Sequence, residues 1–118
     1  MDIKRIEPGA RMAQGVVHGG LVYLAGQVAA DPVGNGVTVQ TQSVLDQIDR
    51  LLAAAGSDKA RILTATVYLA SIDTFAEMNA AWDAWVSKEN PPARATVEAR
   101  LAAPEYLVEI VVVAARAA

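Results

Sequence analysis

"YLVEIVVVAA", residues 106–115, is the stretch on which the fold turns. β-Branched residues crowd it, and they favour a pleated strand. Apolar side chains stand at nearly every position rather than at alternate ones, the pattern of a strand buried on both faces. A chain of 118 residues holds one domain, 1–118, around a single core. It cannot cover both faces of such a strand with its own elements, so a second copy of the chain is the simplest cover.

The segments upstream supply the rest of the sheet. "GVVHGGLVYLAGQVAA", residues 15–30, has two β-rich runs around His18-Gly19-Gly20 and reads as a hairpin whose turn uses glycine. "DPVGNG" is a loop by its Pro, Gly and Asn content. From Val39 to Ala55 the apolar residues Val44, Leu45, Ile48, Leu51, Leu52 and Ala55 fall at helical spacing, and Gly56 closes the run. "ARILTATVYLA", residues 60–70, reads as a buried strand. Thr74 to Glu77 fits a capping box opening a second helix with Phe75, Met78, Trp82 and Trp85 along it. A strand over Arg94 to Glu98 follows Pro91-Pro92, and a loop with Pro104 leads into the last strand. The order ββ, α, β, α, ββ predicts an α+β domain, a mixed β-sheet with two helices on one face and nothing on the other.

Composition narrows the function classes. The chain is 53% hydrophobic with a mean hydropathy of +0.27, high for a short soluble protein, which again favours a subunit interface. Charges interrupt every apolar segment before the roughly 18 residues of a membrane span. No secretory signal opens the chain, and there is no cysteine, so a cytoplasmic setting without disulfides or thiolate chemistry is expected. A net charge of −3, a pI near 5.0 and scattered basic residues argue against nucleic acid as a partner. A single histidine excludes a multi-histidine metal site, and no acidic pair has metalloprotease or calcium-loop spacing, so no metal is expected.

Few residues remain for chemistry. His18 reads as a solvent-facing turn residue, Gly34-Asn35-Gly36 as a turn, and Ser43, Ser57, Ser71 and Ser87 as caps or surface groups. Trp82 and Trp85 could line an apolar pocket or fill the core, and their helical spacing favours the core. Asn79 interrupts that stripe and must find a partner, in a neighbouring loop or in a ligand. Arg94 stands among small apolar neighbours and cannot shed its charge, so it needs an anion. Two readings stay open: an ion pair with Glu109 on an adjacent strand, or a site for a small anionic substrate.

"GGLVYLAGQVAADP", "FAEMNAAWDAW", "PPARATVEARL" and "LVEIVVVAA" resemble, in order and along nearly the whole chain, the Rid family of reactive intermediate imine deaminases, also called YjgF or L-PSP proteins. The resemblance implies a chorismate-mutase-like fold and a homotrimer with a central β-barrel and three pockets between subunits. It implies that Arg94, in Pro92-Ala93-Arg94, grips the carboxylate of a 2-imino acid and that Glu109, in the V-E-I motif, positions or activates water. The products would be a 2-keto acid and ammonia, with no cofactor. Met12, Ala25, Asn79, Trp82 and Thr96 fall at positions lining the pocket. Ala95 replaces the usual hydroxyl residue, Met12 a tyrosine and Ala25 a serine, which leaves a larger and more apolar site. A non-catalytic sensor of keto acids or other small carboxylates is the alternative, and a ribonuclease the lesser one.

Overall fold

The computed structural model describes residues 2–117. Seven strands form one sheet: β1 (Ile3–Pro8), β2 (Ala13–His18), β3 (Leu21–Leu24), β4 (Gln27–Val28), β5 (Ile62–Leu69), β6 (Ala93–Glu98) and β7 (Val108–Ala115). Their order is β1-β2-β3-β7-β5-β6, with β4 also paired to β7. Only β5 and β6 run parallel, so the sheet is mixed, as expected. Helices α1 (Val37–Ala54) and α2 (Phe75–Trp85) pack on one face.

β7 lies at the centre, between β3 and β4 on one side and β5 on the other. Its side chains alternate across the sheet. Val108, Ile110, Val112 and Ala114 are essentially inaccessible beneath the helices. Glu109, Val111, Val113 and Ala115 point to the opposite face and are only half-buried. That open face continues through Tyr23, opposite Val113, and through Thr66 and Tyr68, opposite Val111 and Glu109. No element of the described residues covers it. The apolar run at 106–115 thus has one face packed in this chain and one apolar face left over.

The core forms where the sequence places it. Val44, Leu45, Ile48, Leu51, Leu52 and Ala55 of α1 and its cap are all buried against the sheet, and Gly56, at φ 78°, ends the helix. Gln40 is the polar exception. It is buried, and its amide donates to the carbonyls of Pro32, Asn35 and Glu105 while its Oε1 accepts from Leu107 N. One side chain therefore ties the loop before α1 to the loop before β7, with both ends of the amide satisfied.

Two local expectations need correction, and one strand was not foreseen. The run at residues 21–30 is not one strand: it breaks at Ala25–Gly26 into β3 and β4. The capping box at Thr74 does not form. A single 3-10 turn, Ile72–Thr74, precedes α2, and Thr74 Oγ1 donates to Ser71 O at 2.7 Å instead of capping. β1 escaped the pattern altogether, because only Ile6 of its six residues is buried and its other side chains are those of a solvated edge.

Candidate functional site

The split sheet divides the candidate residues into two groups. On the helix-covered side, β6 carries Arg94 and Thr96 toward α2. Arg94 Nη1 donates to Asn79 Oδ1 at 2.8 Å and lies 3.9 Å from Met78 Sδ. The guanidinium carbon stands 5.1 Å from the centre of the Trp82 ring and 5.7 Å from that of Phe75. Three successive turns of α2 thus grip one cation from a single face of the helix. Among the described residues Arg94 forms no ion pair. Burial lowers its pKa from the ordinary guanidinium value, and the negative charge of Asp83 acts against that shift. The group stays charged at neutral pH all the same.

Arg94 and Glu109 do not meet within the chain, which removes one of the two open readings, an ion pair between adjacent strands. β5 lies between β6 and β7. Arg94 partners Ala65 of β5, and Glu109 partners Tyr68. Ala65 and Tyr68 are an odd number of residues apart, so they point to opposite sides of the sheet and carry their partners with them. Ala65 is buried under the helices; Tyr68 lies on the open side.

The second group surrounds Glu109. Its carboxylate rests against the Cα of Gly26, in the break between β3 and β4. Ala25 N donates to Gln14 O at 2.9 Å, and the buried Gln27 amide donates to Gln14 Oε1 and Ala25 O, each at 3.0 Å. Met12 is half-exposed in the turn joining β1 to β2, at the same end of the sheet. On the far side of Glu109 a recess of about 230 Å3 is lined by Tyr68, Ala99, Arg100, Leu101 and Ala102. A larger hollow of about 720 Å3 behind the loop 98–104 contains neither Arg94 nor Glu109.

The structure therefore brings Arg94, Asn79, Trp82 and Thr96 together and places Glu109, Ala25 and Met12 apart from them. Thr96 Oγ1 is buried with no hydrogen-bond partner. Phe75, Met78, Gly26 and Tyr68 are neighbours that sequence reasoning did not assign to the site. For Gly26 a signal existed, since a glycine inside a strand run marks a close backbone approach. Most of the residues set aside behave accordingly: His18 is exposed at the hairpin end, Gly34 turns at φ 79°, and Ser43, Ser71 and Ser87 accept from nearby backbone N–H groups. Ser57 does not: it is buried, and its hydroxyl donates to Ala115 O at 2.6 Å, tying the end of α1 to the end of β7. No group of three or more His, Cys, Asp or Glu among the described residues could hold a metal ion. No helix of the described residues is long and apolar enough to cross a membrane.

Comparison with known proteins places this geometry in a lineage. A family model described as Endoribonuclease L-PSP matches residues 2–116. A RutC family protein of Haemophilus influenzae is 48% identical over 114 residues, 97% of this chain and 98% of that protein. The RutC family protein YoaB of Escherichia coli is 44% identical over 115 residues, covering 98% and 99%. The crystal structure of a YjgF family member from Neisseria meningitidis superimposes with a TM-score of 0.96 at 47% identity, over 100% of this chain and 98% of that one. Fold, family model and relatives agree, and the chain belongs to the Rid family, known also as the YjgF, RutC and L-PSP proteins.

Proposed function

We propose that the protein hydrolyses reactive 2-imino acids and their enamine tautomers to 2-keto acids and ammonia. The observation that carries this reading is the state of Arg94. It is a half-buried cation held by a neutral amide and two aromatic faces, and it forms no ion pair with any carboxylate of the described residues. A planar fork so oriented suits a bidentate carboxylate. Met78, Phe75 and Trp82 beside it supply an apolar bed for the side chain of the acid.

With the carboxylate on Arg94, the adjacent C=N carbon is fixed for attack. Glu109 accepts a proton as a water oxygen bonds to that carbon and the π electrons pass to nitrogen, and it returns that proton to nitrogen. The resulting carbinolamine passes its hydroxyl proton to nitrogen by the same carboxylate and breaks its C–N bond, releasing ammonia and leaving the ketone. Imines hydrolyse unaided in water, so positioning and a proton shuttle suffice. No cofactor enters these steps.

Such a site needs both groups in one pocket, and they occupy opposite faces of the sheet. We therefore propose a homotrimer in which the open faces close into a central barrel and Arg94 of one subunit meets Glu109 of the next. The half-buried Val111 and Val113 and the exposed Tyr23 of the open face support it. The ribonuclease activity named by the family model finds less support: the one histidine is an exposed turn residue and the net charge is −3. Neither offers acid-base partners or a phosphate track.

The test supplies imine from an amino acid oxidase in the presence of semicarbazide, which traps whatever is not hydrolysed. The protein should lower trapping, and Glu109→Gln should restore it while leaving keto-acid binding intact. Binding of keto acid with unchanged trapping would replace the deaminase with a carboxylate sensor in the cytoplasm. Loss of neither property in Arg94→Ala would reject the site.

A further inference from the structure

We propose that Gly26 is a positioning residue for Glu109: the lack of a side chain there lets the carboxylate lie against the backbone and fixes where it holds water. The inference rests on the deaminase reading and specifies how its base is aimed.

A Cβ built on Gly26 would overlap Glu109 Oε2 and stand 2.9 Å from Cδ and 3.2 Å from Cγ. The end of the side chain thus occupies the space that any other residue would fill. Backbone conformation does not explain the glycine. The left-handed glycines are Gly19, Gly34 and Gly56, and Gly26 is not one of them. Gly15 makes a useful contrast, since a Cβ there would meet Leu24 Cδ2 at 3.1 Å, a flexible apolar tip that can turn aside.

Gly26 is also firmly held. It lies where the run breaks between β3 and β4, both of which pair with β7, the strand that bears Glu109. Gln27 and Gln14 anchor its neighbour Ala25. On the other side of Glu109 stand Tyr68 and the recess that reaches Arg100. The carboxylate is therefore bracketed, with rigid backbone on the β4 side and open space on the β5 side. A methyl group at position 26 must push it toward that space.

The experiment is Gly26→Ala. We expect kcat for imine hydrolysis to fall about 10- to 100-fold, because a displacement of roughly an ångström is enough for such a loss. KM should hardly change, because Arg94 still takes the carboxylate, and a crystal structure of the variant should show Glu109 displaced. An unchanged kcat, or a loss with Glu109 still in place, overturns the proposal. If Gly26→Ala does not fold, the same substitution is made with Glu109→Ala: a folded double variant supports the clash with Glu109, and an unfolded one overturns it. If the wild type shows no imine hydrolysis, the deaminase reading falls by itself, and the position of Glu109 in the Gly26→Ala crystal structure alone decides whether this glycine sets the carboxylate.

Discussion

The two faces of the sheet differ in how complete they are. Under the helices every strand position is filled: Val67, Leu69, Ile110 and Ala114 reach zero exposure, and Arg94 is clasped by α2. On the open face the same strands present Val111, Val113, Tyr23 and Val97 with nothing over them, and Tyr23 and Val97 are 45% and 43% exposed. The covered face is a finished core with a cation at its margin. The open face is apolar surface beside a carboxylate. One chain thus carries the binding half of the proposed chemistry on one side and the hydrolytic half on the other, and assembly is what would unite them.

The strongest way to break this division is to spoil the open face alone. Val113→Glu puts a charge in the middle of it and leaves the helix-covered core untouched. Burying an unpaired carboxylate is prohibitive, so the subunits should separate. Sedimentation should then report a monomer with near-native circular dichroism. Imine hydrolysis should fall on the order of 1,000-fold or more, since positioning and proton transfer are lost together. A monomer with full activity would mean that the two faces do not cooperate.

Next in size is the covered face's cation. Arg94→Met retains apolar contact with Trp82 and Phe75 while removing the charge. Truncating one partner of a desolvated charge pair costs about 2–5 kcal/mol, so kcat/KM should drop roughly 30- to 5,000-fold. Stability should respond in the other direction. Burial already disfavours the charged form of Arg94, and the negative charge of Asp83 opposes this only from a distance, without an ion pair. Replacing it with an apolar residue should therefore leave Tm unchanged or raised. A fall of many degrees in Tm would make Arg94 a structural residue. The carboxylate affinity of the wild type should also stay flat across neutral pH, because a guanidinium holds its proton well above that range even when burial lowers its pKa.

The same contrast explains what the sequence made legible. Segments of the covered face announced themselves, because burial on one side imposes a period: the apolar spacing in α1 and the runs at β5 and β7 all read through. Segments whose shape depends on contacts made elsewhere did not. β1 pairs only with β2 and is mostly exposed, so it carries no pattern. The break at Ala25–Gly26 follows from packing against Glu109, more than eighty residues later in the chain. Arg94, Asn79, Trp82, Thr96 and Glu109 could all be picked out singly, but their assignment to opposite faces needed the strand order. Placing β5 between β6 and β7, and with it the parity that separates Arg94 from Glu109, is a nonlocal choice that no spacing within 94–109 records.

Asn79→Ala probes how well the covered face aims its cation. Its Oδ1 accepts the one short hydrogen bond from Arg94. Hydrogen bonds to charged groups contribute about 1.5–3 kcal/mol, so carboxylate affinity should weaken roughly 10- to 100-fold. Asn79→Asp should instead bind Arg94 more tightly and compete with the substrate, lowering affinity by a different route. Salt should relieve the loss in the aspartate variant and leave the alanine variant unmoved.

The smallest effect concerns Thr96, and it separates a structural role from a functional one. Its hydroxyl is buried on the Arg94 side of β6 with no partner among the described residues. An unsatisfied buried hydroxyl is unfavourable by about 1–3 kcal/mol. Thr96→Val removes the hydroxyl and keeps the branched shape, so it should stabilise the fold by up to about 1 kcal/mol, a rise of a few degrees in Tm. If the hydroxyl exists to meet the acid held by Arg94, the same substitution weakens keto-acid binding by several-fold, a trade of affinity for stability. A variant more stable and equally good at binding would place Thr96 outside the site. One less stable than the wild type would mean that the hydroxyl has a partner within the fold.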